Sequence, residues 1–152
     1  MDGKSLKVCI ASDHAGFLLK ENVCRYLKEE GYNVTDLGTD SEESVDYTVF
    51  AKKAADAVSG GQFDRGIIIC GTGIGVSIVA NKTKGIRAAL CTDQYMAKMC
   101  REHNNANVVC MGARVIGFGV ARDIATEFLN HDFEEGGRHQ KRVDIINALD
   151  KA

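Results

Sequence analysis

The sequence predicts a three-layer α/β/α sandwich with a five-stranded parallel sheet in its middle layer. Two observations favour this fold. Strand-like and helix-like segments alternate five times along the 152 residues, which is the pattern of an α/β domain. The strand-like runs are short and continuously apolar, as in "RGIIIC" at 65–70, and this is typical of strands whose two faces are both covered by helices. We therefore expect a Rossmann-like sheet with right-handed crossovers.

The first two strand–helix units illustrate the pattern. "KVCIASD" (7–13) is an apolar run that ends in a polar pair, and "AGFLLKENVCRYLKEE" (15–30) follows with apolar residues at helical spacing. Gly31 is suited to end that helix. "NVTDLG" (33–38) predicts a second strand, and "YTVFAKKAADAVSGG" (47–61) predicts a second helix.

The second half of the chain repeats the alternation and then adds one more helix. Its strands are predicted at 65–70, 87–92 and 107–113, and its helices at 75–82, 93–103, 119–131 and 141–152. Internal repeats, low-complexity stretches and flexible linkers are absent from the sequence. A single domain over residues 1–152 is therefore expected.

Bulk composition excludes several classes of function. The chain is 45% hydrophobic and 26% charged, with a formal net charge of −2, which gives no general attraction to nucleic acid or to an anionic membrane. No apolar run approaches the roughly 20 residues needed to span a bilayer, and the N-terminus does not resemble a signal peptide. The sequence predicts a cytoplasmic protein that binds neither nucleic acid nor membrane.

Six cysteines occur at positions 9, 24, 70, 91, 100 and 110, without a CxxC pair or the spacing of a zinc site. In a reducing cytosol free thiols are expected, and a thiol inside a strand behaves as a small hydrophobe. A metal site of three buried cysteines is the less favoured alternative.

Polar residues follow the predicted strands at the edge where open α/β sheets bind their ligands. The first strand ends in Asp13-His14, the loop after the second ends in Asp46-Tyr47, and the third ends in Cys70-Gly71-Thr72-Gly73. The fourth strand is followed by Thr92-Asp93 and the fifth by Arg114. Their convergence on one rim predicts a ligand site there.

The glycine-rich segment "CGTGIG" (70–75) has two interpretations. It is not a dinucleotide fingerprint, because its spacing is G-x-G-x-G and it follows the third strand. It is not a Walker A loop, because no Gly-Lys-Ser/Thr follows. The backbone amides from Gly71 to Gly75, at the start of a helix, could form an anion hole. The alternative is a tight turn without a ligand.

Cys70 and the Asp13-His14 pair each have a functional and a purely structural interpretation. A thiol beside a helix N-terminus is expected to have a lowered pKa and to serve as a base or nucleophile, although Cys70 could be another core cysteine. Asp13 could be only a helix cap, with His14 a surface histidine. Their position at the strand ends favours contact with a ligand.

The segment "GGRHQKRVDII" (136–146) brings Arg138 and Arg142 to one face of a predicted helix. Cations in a first helical turn oppose the helix dipole, so a bound phosphate would explain them better than stability does. A solvated basic helix start is the alternative. His103 lies at the end of the fourth helix, where the helix dipole favours a histidine even if it has no function.

These positions conflict within a single chain. The fourth helix runs back from the carboxyl edge of the sheet, so His103 and Asn104 should lie at the opposite edge from Cys70, and Arg138 roughly with them. If they belong to one site, a second subunit must supply some of them. A homodimer with composite sites is therefore predicted.

The motifs occur in the same order as in a known family. Asp13-His14, "DYT" (46–48), "CGTGIG" (70–75), "ANK" (80–82), "HN" (103–104), "GAR" (112–114) and "GGRHQKRV" (136–143) resemble the type B ribose-5-phosphate isomerases. That family also contains the galactose-6-phosphate isomerase subunits. The resemblance covers essentially the whole chain. It implies a sheet of strand order 2-1-3-5-4 and a dimer or a tetramer of dimers.

The resemblance also implies an activity, namely interconversion of ribose 5-phosphate and ribulose 5-phosphate through an enediol, without metal or nucleotide cofactor. Cys70 would be the base that moves the proton between C1 and C2, and His103 would help to open the sugar ring, with Thr72 and Asp13. A six-carbon phosphosugar, such as galactose 6-phosphate or allose 6-phosphate, is the alternative substrate. The expected substrate-binding residues are Asp13, His14, Tyr47, Gly71, Gly73, Ile74, Gly75, Asn104, Arg114, Arg138 and Arg142.

Two positions depart from the family pattern. Thr48 stands where many members have proline, a change expected to be tolerated. Val76 stands where some relatives carry a glutamate instead of using the cysteine, so Cys70 is the candidate base here. A binding module without turnover is the non-enzymatic alternative, and Cys70 would then be dispensable.

Overall fold

The structure of the chain, a computed structural model, describes residues 2–150. A short 3-10 helix at Gly3–Ser5, which the sequence did not predict, precedes the first strand. The strands are β1 Lys7–Ser12, β2 Asn33–Asp36, β3 Arg65–Cys70, β4 Ala88–Leu90 and β5 Val108–Gly112. The helices are α1 Phe17–Glu29, α2 Tyr47–Ser59, α3 Ile74–Asn81, α4 Gln94–Glu102, α5 Phe118–Asn130 and α6 Gln140–Ala148.

The five strands form one sheet in the order β2-β1-β3-β5-β4, and every neighbouring pair is parallel. In the central register Ile10 lies beside Ile67, and Ile68 lies beside Cys110. The predicted fold class and the strand order implied by the family resemblance are both confirmed. The carboxyl ends of β1, β3 and β5 are therefore adjacent.

Two separate apolar cores cover the two faces of the sheet, because successive side chains of a strand point to opposite sides. In β1, Val8 and Ile10 join the core that α1, α4 and α5 complete. Cys9 and Ala11 face α2 and α3 and join the other core. The continuous apolar strands of the sequence thus follow from burial on both faces.

Several element ends differ from the prediction, and the predicted end of the last helix at 151–152 lies outside the described residues. β4 is an edge strand of three residues, and the Asn81 side chain occupies its free edge by bonding to both the backbone N and O of Ala88. Gly31 ends α1 as predicted, with a φ of +93° that favours glycine.

Within residues 2–150, no helix is both long enough and apolar enough to cross a bilayer.

Candidate active site

A cleft of about 540 Å³ opens at the carboxyl edge of the sheet, over the ends of β1, β3 and β5. We call it the thiol cleft. Its lining residues are Asp13, His14, Ala15, Tyr47, Cys70, Gly71, Thr72, Ile74, Gly75, Ile78 and Arg114. The predicted convergence is therefore observed for three strand ends and for the start of α2. The end of β4 does not take part, because Asp93 instead caps α4 by accepting from the backbone N of Met96 at 2.8 Å.

The glycine-rich loop between β3 and α3 is shaped by close packing at Gly73. This residue is the N-cap of α3 and has a φ of +80°. A Cβ atom there would lie 2.5 Å from Cδ1 of Leu90 and 2.8 Å from the backbone carbon of Met111. Only glycine combines this φ with such close neighbours, so the loop keeps its amides at the helix N-terminus, where an anion binds favourably.

Cys70 is placed where a base could act on a ligand in the thiol cleft. Its Sγ accepts a hydrogen bond from the backbone N of Gly73 at 3.1 Å, and the residue is 5% exposed. Burial raises the pKa of Cys9 to about 12 and also raises the pKa of Cys110, as expected of core thiols.

All six cysteines are free and buried, as the composition predicted, and Cys70 is the one that lines the thiol cleft. Among residues 2–150, no group of three or more His, Cys, Asp or Glu side chains is placed to hold a metal ion. The tri-cysteine alternative therefore has no support from the described residues.

Asp13 and His14 are held by local backbone contacts. Oδ1 of Asp13 accepts from the backbone N of Gly16 at 3.1 Å, so the carboxylate shapes the turn before α1, while Gly16 itself is the N-cap. Nδ1 of His14 lies 3.1 Å from the backbone N and 3.2 Å from the backbone O of Val45. This contact joins His14 to the loop that precedes α2.

Tyr47 begins α2, whose N-cap is Asp46. The Asp46 carboxylate accepts from the backbone N of Thr48 at 3.0 Å and from its hydroxyl at 2.8 Å, and these bonds lower the pKa of Asp46. Proline at position 48 could make neither of these two bonds. The Tyr47 ring packs directly on α3, because a Cβ at Gly75 would lie 2.6 Å from its Cε2 atom.

Arg114 and Thr72 complete the thiol cleft. The chain after β5 continues beside the glycine-rich loop, where the backbone N of Arg114 donates to the backbone O of Gly71 at 2.9 Å. The Arg114 guanidinium consequently lies over Gly71, with Nη1 3.4 Å from the position that a Cβ would take there. Oγ1 of Thr72 accepts from the backbone N of Ile74 at 3.2 Å.

The other predicted residues lie away from the thiol cleft. His103 caps the C-terminus of α4 and, with Arg138, lines a second cleft of about 360 Å³. Asn104 lines a third hollow beside β4 and α6. The structure therefore agrees with the expectation that His103 and Asn104 do not reach Cys70 within one chain.

His139 is a residue that the sequence reasoning missed. Its ring stacks on His103, with 4.1 Å between the ring centroids and 25° between the planes, and Nη1 of Arg142 lies 3.4 Å from its Nδ1. Burial, followed by the charges of Arg138, His103 and Arg142, lowers the pKa of His139. We call His103, Arg138, His139 and Arg142 the histidine cluster. In the sequence, the position of His139 between two arginines was the only indication of its role.

One expectation about this segment was wrong in detail. Arg138 does not lie in the first turn of the last helix, because α6 begins at Gln140 with His139 as its N-cap. The two arginines are therefore not paired by helical spacing. Both nevertheless lie near His139, which keeps two guanidinium groups and two imidazoles together.

The chain is similar to known proteins over most of its length. The family model described as Ribose/Galactose Isomerase matches residues 8–146. The chain is 46% identical to "Ribose-5-phosphate isomerase B" of Escherichia coli (strain K12), over 95% of this chain and 97% of that protein. It is 44% identical to "D-erythrulose-4-phosphate isomerase" of Pectobacterium atrosepticum, over 90% of each chain.

A solved structure of Clostridium thermocellum ribose-5-phosphate isomerase B is similar in both fold and sequence. It superposes with a TM-score of 0.91 at 52% identity, over 94% of this chain and 96% of that chain.

Proposed function

The chain belongs to the ribose/galactose isomerase family, and we propose that it is an aldose–ketose isomerase that interconverts ribose 5-phosphate and ribulose 5-phosphate. The observation that supports this most directly is the contact between Cys70 and the glycine-rich loop. A thiol that accepts from the backbone N of Gly73 at 3.1 Å stands beside a row of amides that can hold an oxyanion. Proton transfer through an enediol requires these two elements.

The reaction follows from that geometry. With the open-chain aldose in the thiol cleft, the Cys70 thiolate removes the proton from C2, and the electron pair moves to the carbonyl oxygen on C1. The amides of Gly71, Gly73 and Gly75 would stabilise the resulting enediolate. Return of the proton from the Cys70 thiol to C1, with transfer of the proton on the C2 oxygen to the C1 oxygen, gives the ketose. Substrate and product are isomers, so no net oxidant or reductant is consumed.

A second copy of the chain supplies the histidine cluster in this proposal. His103 would serve as the acid for ring opening, and Arg138 and Arg142 would hold the phosphate, with Asn104 on the sugar. The thiol cleft by itself lacks the proposed acid, and the histidine cluster by itself lacks the proposed base. Apolar side chains beside the thiol cleft are suitable for such an interface, since Ile74 is 52% exposed and Ile78 is 55% exposed.

A five-carbon substrate is favoured over the six-carbon alternative, because the family relatives are named for ribose 5-phosphate. The relative named for D-erythrulose 4-phosphate makes a four-carbon substrate worth assaying beside them. Initial rates on four-, five- and six-carbon aldose phosphates, followed as ketose formation, test this preference. A higher kcat/KM on a six-carbon substrate than on ribose 5-phosphate would overturn it.

The free thiols are consistent with an enzyme of the reducing cytosol.

Replacement of Cys70 with alanine tests the assigned base. We expect kcat to fall by about a thousandfold or more, since general-base catalysis contributes roughly that much, while phosphosugar binding persists in calorimetry. Cys24→Ala is the matched control, because that buried thiol lies on α1, and it should keep wild-type turnover. Full activity in Cys70→Ala would exclude Cys70 as the base, whereas phosphosugar binding without turnover in the wild-type chain would favour a binding module.

A further inference from the structure

Lys20 is a buried lysine that the proposed mechanism does not use. It lies on α1, its residue exposure is 1%, and it is the largest fully buried side chain among the described residues. A charged ammonium is costly to bury unless each of its three hydrogens finds an acceptor. An apolar side chain of similar volume would fill this space at lower cost, so the packing of α1 does not by itself explain a lysine here.

The three hydrogens of Lys20 have three acceptors, and two of these belong to parts of the chain outside α1. Nζ donates to Oδ2 of Asp36 at 2.6 Å and to the backbone O of Thr39 at 2.7 Å. The third acceptor is Oε1 of Glu21 at 3.1 Å, and the Phe17 ring lies 5.0 Å from the ammonium. The two bonds to Asp36 and Thr39 fasten the end of β2 and the residue that follows it to α1.

The chain that follows β2 is also pressed against the end of β1. A Cβ at Gly38 would lie 2.6 Å from the backbone N of Ser12 and 2.9 Å from Cδ of Lys20, so only glycine allows this approach. The backbone N of Thr39 donates to the backbone O of Ser12 at 3.1 Å. Lys20 therefore anchors the segment 39–46 at a point directly beside the strand end that carries Asp13 and His14.

The far end of the same segment reaches the thiol cleft. Val45 contacts Nδ1 of His14 through its backbone, and Asp46 caps the helix that begins with Tyr47. Segment 39–46 is thus attached at its start to Lys20 and Ser12 and near its end to His14. Between them it is largely exposed and carries Asp40, Glu42 and Glu43, so these carboxylates have no core contacts that could keep the segment in place.

We propose that Lys20 is a positioning residue for substrate binding, which acts through segment 39–46 on His14 and Tyr47. This inference rests on the proposed function, since it assigns Lys20 to the same phosphosugar site. Without the ammonium, the start of the segment loses its attachment to α1, and the His14 ring and the Tyr47 ring lose one of the constraints on their position. Cys70 belongs to a different strand, so its contact with Gly73 should persist.

Lys20→Met tests the proposal, because methionine keeps most of the volume but removes the charge and the donors. We expect KM for ribose 5-phosphate to rise about tenfold, less than the roughly hundredfold loss that a misplacement of 1 Å can cause, while kcat changes by less than about twofold. Alkylation of Cys70 by iodoacetamide, followed by peptide mass spectrometry, should keep its rate. Lys52→Met, at an exposed position on α2, is the matched control and should change neither constant.

Two further measurements separate positioning from a merely structural role. Amide hydrogen exchange in Lys20→Met should accelerate in residues 39–48 and stay unchanged in β3 and β5. In a His14→Ala background, Lys20→Met should raise KM by less than about twofold, because coupled residues have non-additive effects. An unchanged KM in Lys20→Met, additive effects with His14→Ala, or faster exchange throughout the sheet would each overturn the proposal.

Failure of the Lys20 proposal can be distinguished from failure of the proposed function. If the wild-type chain does not isomerise any phosphosugar, the proposed function fails, whereas the exchange comparison still decides whether Lys20 holds segment 39–46. If Lys20→Met does not fold by circular dichroism, Asp36→Asn weakens the same contact from its more exposed side and should raise KM about threefold. An unchanged KM in Asp36→Asn would then count against the proposal.

Discussion

Two inactive variants of the chain should restore each other's activity if the substrate site is shared between two copies. The variants are Cys70→Ala, which removes the proposed base from the thiol cleft, and His103→Ala, which removes the proposed acid from the histidine cluster. Cys70 and His103 line separate clefts of one chain. Each variant homodimer would therefore lack one of the two groups in both of its sites.

The expected recovery follows from symmetry. In a two-fold dimer, each site takes Cys70 from one chain and His103 from the other. A heterodimer of the two variants contains one site that lacks both groups and one site that is intact. Its kcat per dimer should be about half of the wild-type value, and its KM should be unchanged because the active site is complete.

The assay requires a pure heterodimer. Co-expression of the two variants with different affinity tags, followed by purification on both tags, gives that species, and turnover of ribose 5-phosphate is then measured. The matched control combines Cys70→Ala with Arg114→Ala, because both residues line the thiol cleft and no intact site can form. Activity of the Cys70→Ala/His103→Ala heterodimer at the level of this control would refute the composite site.

Three further outcomes can be checked on single variants. Gly75→Ala should raise KM about tenfold without lowering the melting temperature, since its Cβ would lie 2.6 Å from the Tyr47 ring while alanine favours the helix. Cys9→Ala should reduce the alkaline loss of stability. Burial raises the pKa of Cys9 to about 12. The neutral thiol therefore contributes stability that is complete below about pH 8.5 and is lost as the pH rises towards 12. In urea titrations between pH 8 and pH 10, the free energy of unfolding of Cys9→Ala should fall by about 2 kcal/mol less than that of the wild-type chain. Arg101→Met should lower the free energy of unfolding by about 2 kcal/mol in denaturant titrations, since two acceptors in the loop after His103, Oδ1 of Asn105 and the backbone O of Ala106, would lose the bonds that the guanidinium donates; a change below about 0.5 kcal/mol would contradict this role.

Much of the fold and part of the candidate site could be predicted from the sequence. Continuous apolar runs predicted strands buried on both faces, and β1 and β3 are indeed buried along nearly their whole length. The rule that parallel strands present ligands at their carboxyl ends brought Asp13, Cys70 and Arg114 together correctly. These predictions succeeded because strand direction and side-chain alternation are properties of the local chain.

The remaining features depend on distances between segments that are far apart in the sequence. The stacking of His139 on His103 joins the loop before α6 to the end of α4, and no local pattern encodes that approach. Lys20 looked like an ordinary helical lysine, and its bond to the backbone O of Thr39 at 2.7 Å became visible only when α1 was packed against the end of β2.

The sequence by itself determined the layers of this protein, the direction of its strands and the chemical groups at their ends, because hydrophobic periodicity and glycine placement act over a few residues. Tertiary structure alone decided that Tyr47 rests on Gly75 and that the histidine cluster lies in a different cleft from Cys70. Such contacts require atoms from separate elements to meet within about 3 to 4 Å. That precision comes from close packing of the whole chain rather than from any one segment of it.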